Sequence, residues 1–160
     1  MTVVFRSFGI VALVLSLGAC RGAKFESGSM EPTIHQGDVV TINHTAYLNS
    51  DPQRWDVAAY EDEDTHGNSW CHRIVGMPGE TIDLRDGFVI IDSVKLEYPA
   101  KIGKVRYSAL PAGTPTKIHL PYLIPKDCYF VLGDNTSDAI DSRYLGAIKR
   151  SDIRGRIEGK

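Results

Sequence analysis

An excess charge of either sign is missing from this chain. Its 160 residues carry a formal net charge of −2, which leaves no electrostatic footprint for nucleic acid, and none is expected as a partner. Cysteine is scarce. The three present, Cys20, Cys71 and Cys128, lack the paired spacing of a zinc site, and their odd number argues against a disulfide framework. Cys71 and Cys128 are therefore expected to stay unpaired. His35, His44, His66 and His119 have no partners at ligand spacing, so no metal and no cofactor is expected. Internal repeats and low-complexity segments are absent, which removes repeat architectures. Beyond Cys20 almost no helical periodicity is found, which removes a helical bundle.

What is present begins at the N-terminus. Arg6 precedes a run from Phe8 to Cys20 that holds only apolar and small residues plus Ser16. Counted back to Thr2, the segment approaches the roughly 20 residues that a spanning helix needs, with Arg6 snorkelling toward the headgroups. The run ends Leu17-Gly18-Ala19-Cys20, which resembles the lipobox of bacterial lipoproteins, where the chain is cut before a cysteine that then receives lipid. A retained signal-anchor helix and a lipid on Cys20 both export residues 21 onward and hold them at a bilayer; the retained helix is the expectation. Residues 1–24 are read as this anchor with a short juxtamembrane segment, and residues 25–160 as one domain.

That domain reads as strands. Asp38 to Asn43, Asp56 to Tyr60, Trp70 to Val75 and Cys128 to Leu132 are β-branched or aromatic runs bounded by turn residues. Thr81 to Leu84 and Phe88 to Ile91 flank Arg85-Asp86-Gly87 as a hairpin. One more strand is expected around Ile153 to Ile157. The acidic stretch from Glu61 to Asp64 reads as a solvated turn, and Gly76 to Gly79 as a tight one. Between about residues 92 and 125 prolines and glycines thicken, so a reduced, irregular insertion or flap is expected there, with a short strand near Lys117 to Leu120. The fold class is mainly β: an antiparallel sheet or partial barrel with a small irregular insertion, behind an N-terminal hydrophobic helix.

The stretch Ser27-Gly28-Ser29-Met30-Glu31-Pro32-Thr33 places two hydroxyls about a glycine. Such a pair suits a nucleophile and a transition-state donor, and Pro32 favours a rigid turn over a helix. By itself the tripeptide is common in solvated loops.

Together with other motifs it is distinctive. The Ser-Gly-Ser-Met-x-Pro-Thr stretch is followed in order by Gly37-Asp38-Val39-Val40, Asp56-Val57, Arg73-Ile74-Val75-Gly76-Met77-Pro78-Gly79, and Gly133-Asp134-Asn135 with Asp141-Ser142-Arg143. This series resembles the type I signal peptidases, membrane-anchored serine proteases that remove signal peptides from exported proteins. The resemblance implies Ser29 as nucleophile, with the Ser29 amide and the Ser27 hydroxyl forming the oxyanion hole. It implies Met30 and Cys71 near the substrate pocket. Most bacterial members carry a lysine immediately before the arginine of the third motif. Here His72 stands there, and Ala139 replaces the serine that usually supports that lysine. His-Arg is similar instead to the endoplasmic reticulum enzymes and some archaeal and Gram-positive ones, which use a Ser–His pair.

A histidine base needs its second ring nitrogen held by something fixed. Asp141 is the expected partner, with Asp134 and Asp138 behind it and Arg143 holding the aspartate by a bidentate ion pair. The expected acid limb of the rate lies at a pKa of roughly 6 to 7. The implied function is a membrane-anchored serine endopeptidase acting on signal peptides of preproteins, with the lipid bilayer as its other partner. A catalytically impaired binding protein, or a processing peptidase dedicated to one secretion, pilus or conjugation substrate, remains as the alternative.

Overall fold

A computed structural model describes residues 20–61, 69–102 and 105–159. The N-terminal hydrophobic segment to Ala19, and most of the acidic turn after Glu61, lie outside the described residues. Among those described, no helix is long and apolar enough to cross a membrane.

Among the described residues eleven strands form two antiparallel sheets. The larger sheet contains β1 (Cys20–Lys24), β2 (Val39–Asn43), β3 (Val57–Tyr60), β4 (Trp70–Gly76), β9 (Cys128–Leu132), β10 (Ile148–Lys149) and β11 (Ile153–Glu158), in the order β1-β2-β11-β3-β4-β9-β10. The smaller sheet contains β5 (Thr81–Arg85), β6 (Phe88–Ile91), β7 (Val94–Lys95) and β8 (Tyr122–Leu123), in the order β7-β6-β5-β8. The last strand of the chain is thus inserted between β2 and β3. Among the described residues the single α-helix is one turn, α1 (Ser142–Leu145). The architecture is mainly β with open sheets, as the alternating sequence pattern requires.

Period-two alternation sorts the side chains. On β9, Tyr129 and Val131 enter one buried cluster with Ala58, Tyr60 and Ile74, while Phe130 and Leu132 enter another with Val75 and the smaller sheet. Both faces of β4 and β9 are therefore buried, and β9 reads as a continuous apolar run while β4 buries His72 and Arg73 at its centre. A third cluster joins Phe25, Met30, Ile34, Val40 and Cys71. It seats the Ser27–Thr33 loop against the larger sheet.

Three features differ from the sequence reading. Residues 20–24 pair with β2 along their whole length, so the juxtamembrane stretch is the edge strand of the domain. The irregular insertion does not stand alone: its strands β7 and β8 pair with the 81–91 hairpin, making the smaller sheet one unit from Thr81 to Leu123. The short strand lies at Tyr122–Leu123 and not at Lys117 to Leu120, because Pro121 has no N–H to give a ladder and pairing starts after it.

Gly76 is more than the start of a turn. The β4–β9 register shifts between Ile74 and Gly76, and a Cβ at Gly76 would lie 2.9 Å from Phe130 Cβ and against Ile124 Cδ1. Here β4 leaves the larger sheet and the chain passes to the smaller one. Gly76→Ala should cost about 1–3 kcal/mol through overpacking. A lowered urea midpoint at unchanged m-value checks it.

Candidate active site

The Ser27–Thr33 loop is a tight turn whose shape follows from Pro32. Met30 carbonyl oxygen accepts from Thr33 N at 2.8 Å and Ile34 N at 3.0 Å, and Gly28 O accepts from Glu31 N at 3.1 Å. The Gly133-Asp134-Asn135 segment after β9 clamps the loop from the other side. Asn135 N donates to Ser29 O at 2.9 Å and Asn135 Nδ2 to Gly28 O at 3.1 Å. Gly133 is required here, because a Cβ on it would lie 2.6 Å from Ser29 O and collide with Ala139.

Asp134 is the anchor of this clamp. Its buried carboxylate accepts from Arg73 Nε at 2.9 Å, Arg73 Nη2 at 2.5 Å, Tyr107 Oη at 2.6 Å and Thr33 Oγ1. One carboxylate thus ties together the serine loop, β4, the turn after β9 and the segment between β7 and β8 of the smaller sheet. Burial and the neighbouring Asp134 charge raise the pKa of the Tyr107 phenol, keeping it a neutral donor. Asp141 is held in a similar way. It caps α1 through Arg143 N, takes Arg143 Nε and Nη2 at 2.9 Å each, and accepts Gly133 N at 3.0 Å.

A cleft of about 510 Å³ opens beside the loop, lined by Ser27, Ser29, Cys71, His72, Trp70 and Ile140 among others. At its edge Ser29 N donates to Ser27 Oγ at 3.1 Å, so the two expected oxyanion donors border one point. His72 is 2% exposed and projects from β4 on the face shared with Ala58 and Tyr60. Its Nδ1 meets the Tyr60 hydroxyl at 2.8 Å. Burial pushes its pKa down to about 4, with Asp141 and Asp134 raising it and Arg143 lowering it at longer range. Among the described residues Nε2 has no hydrogen-bond partner, yet the one buried side-chain polar atom without a partner is Arg150 Nε. His72 itself lines the cleft.

The structure brings Ser27, Ser29, Cys71, His72 and Asp138 to one cleft, and leaves Met30, Asp134, Asp141 and Arg143 behind it. Asp141 is not the partner of His72: its oxygens are taken by Arg143 and Gly133 N, and a hydroxyl occupies the place expected for a carboxylate. Arg143 does hold Asp141 in a bidentate pair. Asp134 pairs with Arg73, and Asp138 is an exposed residue of the cleft wall, its Oδ2 standing over Gly28. Met30, expected against substrate, is fully buried among Phe25, Ile34, Val40 and Cys71 and does not line the cleft, because the turn folds it into the core. Cys71 does line it, with its thiol pushed up to about 12 by burial and then by Asp134, so it is a packing group and not a nucleophile. The cysteines are free. Tyr60 and Tyr107 went unnoticed in the sequence; the only available signal for Tyr60 was the antiparallel pairing of its strand with that of His72.

Residues 1–159 match the family of signal peptidases of the peptidase S26 type. The chain belongs to that family. It is similar to a probable signal peptidase I-2 of Synechocystis sp., 28% identical over 156 residues covering 92% of this chain and 67% of the relative. A signal peptidase I of Bacillus amyloliquefaciens is 31% identical over 128 residues, covering 79% and 68%. The crystal structure of a signal peptidase I from Enterococcus faecalis V583 superposes with a TM-score of 0.53 at 28% identity, covering 68% of this chain and 98% of that one.

Two expectations test the site's construction. Asp134→Ala leaves the Arg73 guanidinium buried and unpaired, and should cost on the order of 3–5 kcal/mol in denaturant unfolding. His72 is held neutral in the fold, with its pKa below that of the unfolded chain. The unfolded state then binds the extra proton first, and stability falls as pH drops from the ordinary value of 6.5 toward about 4. The full loss is on the order of 3 kcal/mol. Unfolding free energies at pH 7.5 and 4.5 should show a smaller difference in His72→Gln than in the unmodified protein.

Proposed function

We propose that this chain is a membrane-anchored serine endopeptidase that cleaves signal peptides of exported preproteins, with Ser29 as nucleophile and His72 as general base. The observation that carries the reading is the meeting of Ser27, Ser29 and His72 in one cleft. Ser29 Oγ attacks the scissile carbonyl while His72 Nε2 takes its proton. The same nitrogen returns the proton to the leaving amine, and water, activated by His72, hydrolyses the acyl-enzyme. The Ser29 amide and Ser27 hydroxyl turn from each other to the developing oxyanion, a donor pair of which either member is typically worth about a hundred- to a thousandfold in rate. An extended substrate lies along the cleft as an added strand, its side chain before the cut limited to a small residue by Cys71 and the loop.

Membrane attachment rests on the run from Phe8 to Cys20. A retained helix or a lipid on Cys20 would each deliver β1, and so the cleft, close to the bilayer surface where signal peptides end.

A second reading draws on one observation. A base pushed down to about 4 is always neutral at physiological pH but is a weak proton acceptor. A catalytically impaired protein that binds exported segments would have the same cleft.

The test is cleavage of a signal-peptide substrate with alanine before the cut. The full chain should cleave it, and Ser29→Ala and His72→Ala should each lose nearly all turnover. Burial moves the expected acid limb of kcat/KM below the ordinary histidine range, so activity should stay level from pH 8 to below 6 and fall only in more acid solution. An acid limb near 8 would point to an amine base and exclude His72. No cleavage by the unmodified chain would favour the binding reading.

A further inference from the structure

We infer that Tyr60 is the positioning residue of the His72 base, doing with a neutral hydroxyl what a carboxylate does in a Ser-His-Asp arrangement. This rests on the reading of Ser29 and His72 as nucleophile and base.

The sheet register is the first support. In the β3–β4 ladder Ala58 stands opposite His72 and Tyr60 opposite Trp70, so Tyr60 and His72 are diagonal neighbours on one face, a spacing that only a long side chain bridges. Ala58 is fully buried and contributes only a methyl group, which leaves the space over it to the Tyr60 ring. That ring lies 5.9 Å from the imidazole, with the Trp70 indole edge-on at 6.2 Å. The imidazole is thus confined on β3 and β4 by aromatic walls, and its one hydrogen bond fixes its rotation.

The second support is the census of charged and titratable groups around His72 among the described residues. From β3 comes Tyr60, from β4 Arg73 and Cys71 as chain neighbours, from the turn after β9 Asp134, and from the start of α1 Asp141 and Arg143. Asp134 is consumed by Arg73 and two hydroxyls, and Asp141 by Arg143 and backbone amides. Tyr60 Oη is what meets the ring, at 2.8 Å and buried.

Chemistry then fixes the tautomer. A base that receives the Ser29 proton on Nε2 must carry its own proton on Nδ1, so Nδ1–H donates to Tyr60 Oη. When Nε2 takes up the serine proton, the imidazolium keeps that bond, and it strengthens as the ring becomes charged.

The experiment uses the full chain in detergent micelles. With ring ¹⁵N-labelled histidine, and with the His72 signals assigned by their loss in His72→Gln, His72 at pH 7 should show a protonated, pyrrole-type Nδ1 and a bare Nε2. Tyr60→Phe keeps the ring and removes the hydroxyl. It should lower kcat about tenfold with KM little changed, the scale of one buried hydrogen bond, and His72 should become a mixture of tautomers. A proton on Nε2 in the unmodified protein overturns the inference, as does a kcat unchanged in Tyr60→Phe. Ser29→Ala separates the two levels. If Ser29→Ala cleaves as fast as the unmodified chain, the serine peptidase reading fails whatever the tautomer; if it is inactive while Tyr60→Phe is fully active, only the role of Tyr60 fails.

Discussion

One buried carboxylate holds this structure's distant parts in register. Asp134 takes four hydrogen bonds, from Arg73 twice, from Tyr107 and from Thr33, and its donors come from three places in the chain. An isolated ionised carboxylate at 5% exposure would be prohibitively costly. With a forked guanidinium and two neutral hydroxyls around it, every oxygen is satisfied, and removing any partner exposes the rest to that cost. The serine loop is therefore not a free surface turn. It is fixed at Thr33 by Asp134, at Gly28 and Ser29 by Asn135, and at Met30 by the core. A nucleophile needs that rigidity, because placement errors of an ångström are expensive in rate.

Two arginine–aspartate pairs flank the cleft and neither touches it. Arg73–Asp134 sets the loop, and Arg143–Asp141 sets the turn that presents Gly133 N. Their charges reach His72 only at a distance and partly cancel, while burial acts on it directly. The ring is consequently kept neutral. A carboxylate against Nδ1 would raise its basicity; a tyrosine hydroxyl orients it and leaves the basicity low.

How far the sequence could be read depended on the range of the interactions. Strand positions were legible because alternation is local: β2, β3, β4, β9 and β11 fall within a residue or two of their apolar runs. Ser27, Ser29 and His72 were legible through a motif series, and the structure brings them to one cleft. What was not legible is pairing. Nothing in Asp56 to Tyr60 tells which side chain will lean over His72, since that follows from a register set by the entire ladder. The Arg143 fork on Asp141 was legible in the Asp-Ser-Arg motif, but not that this fork and Gly133 N together would leave no oxygen for His72. Met30 was misplaced for the same reason: adjacency to a nucleophile in sequence says little about which way a side chain turns when a proline closes the loop beneath it.

The alanine at position 139 follows from the same accounting. Ala139 is buried against Gly133, and the Cδ2 edge of His72 approaches the same point of Gly133. An ammonium base has three N–H groups to satisfy while it is charged, and a hydroxyl at this spot would be a natural acceptor. A neutral imidazole has a single N–H, and Tyr60 lies on the opposite flank to receive it. A hydroxyl at 139 would then be a buried polar group beside a carbon edge of the ring, which costs about 1–3 kcal/mol when it finds no partner. A methyl group fills the space at no such cost. With His72 as the proposed base and Tyr60 as its proposed orienting group, residue 139 belongs to the same physical choice, in which the position of the hydroxyl follows the position of the proton that it must hold.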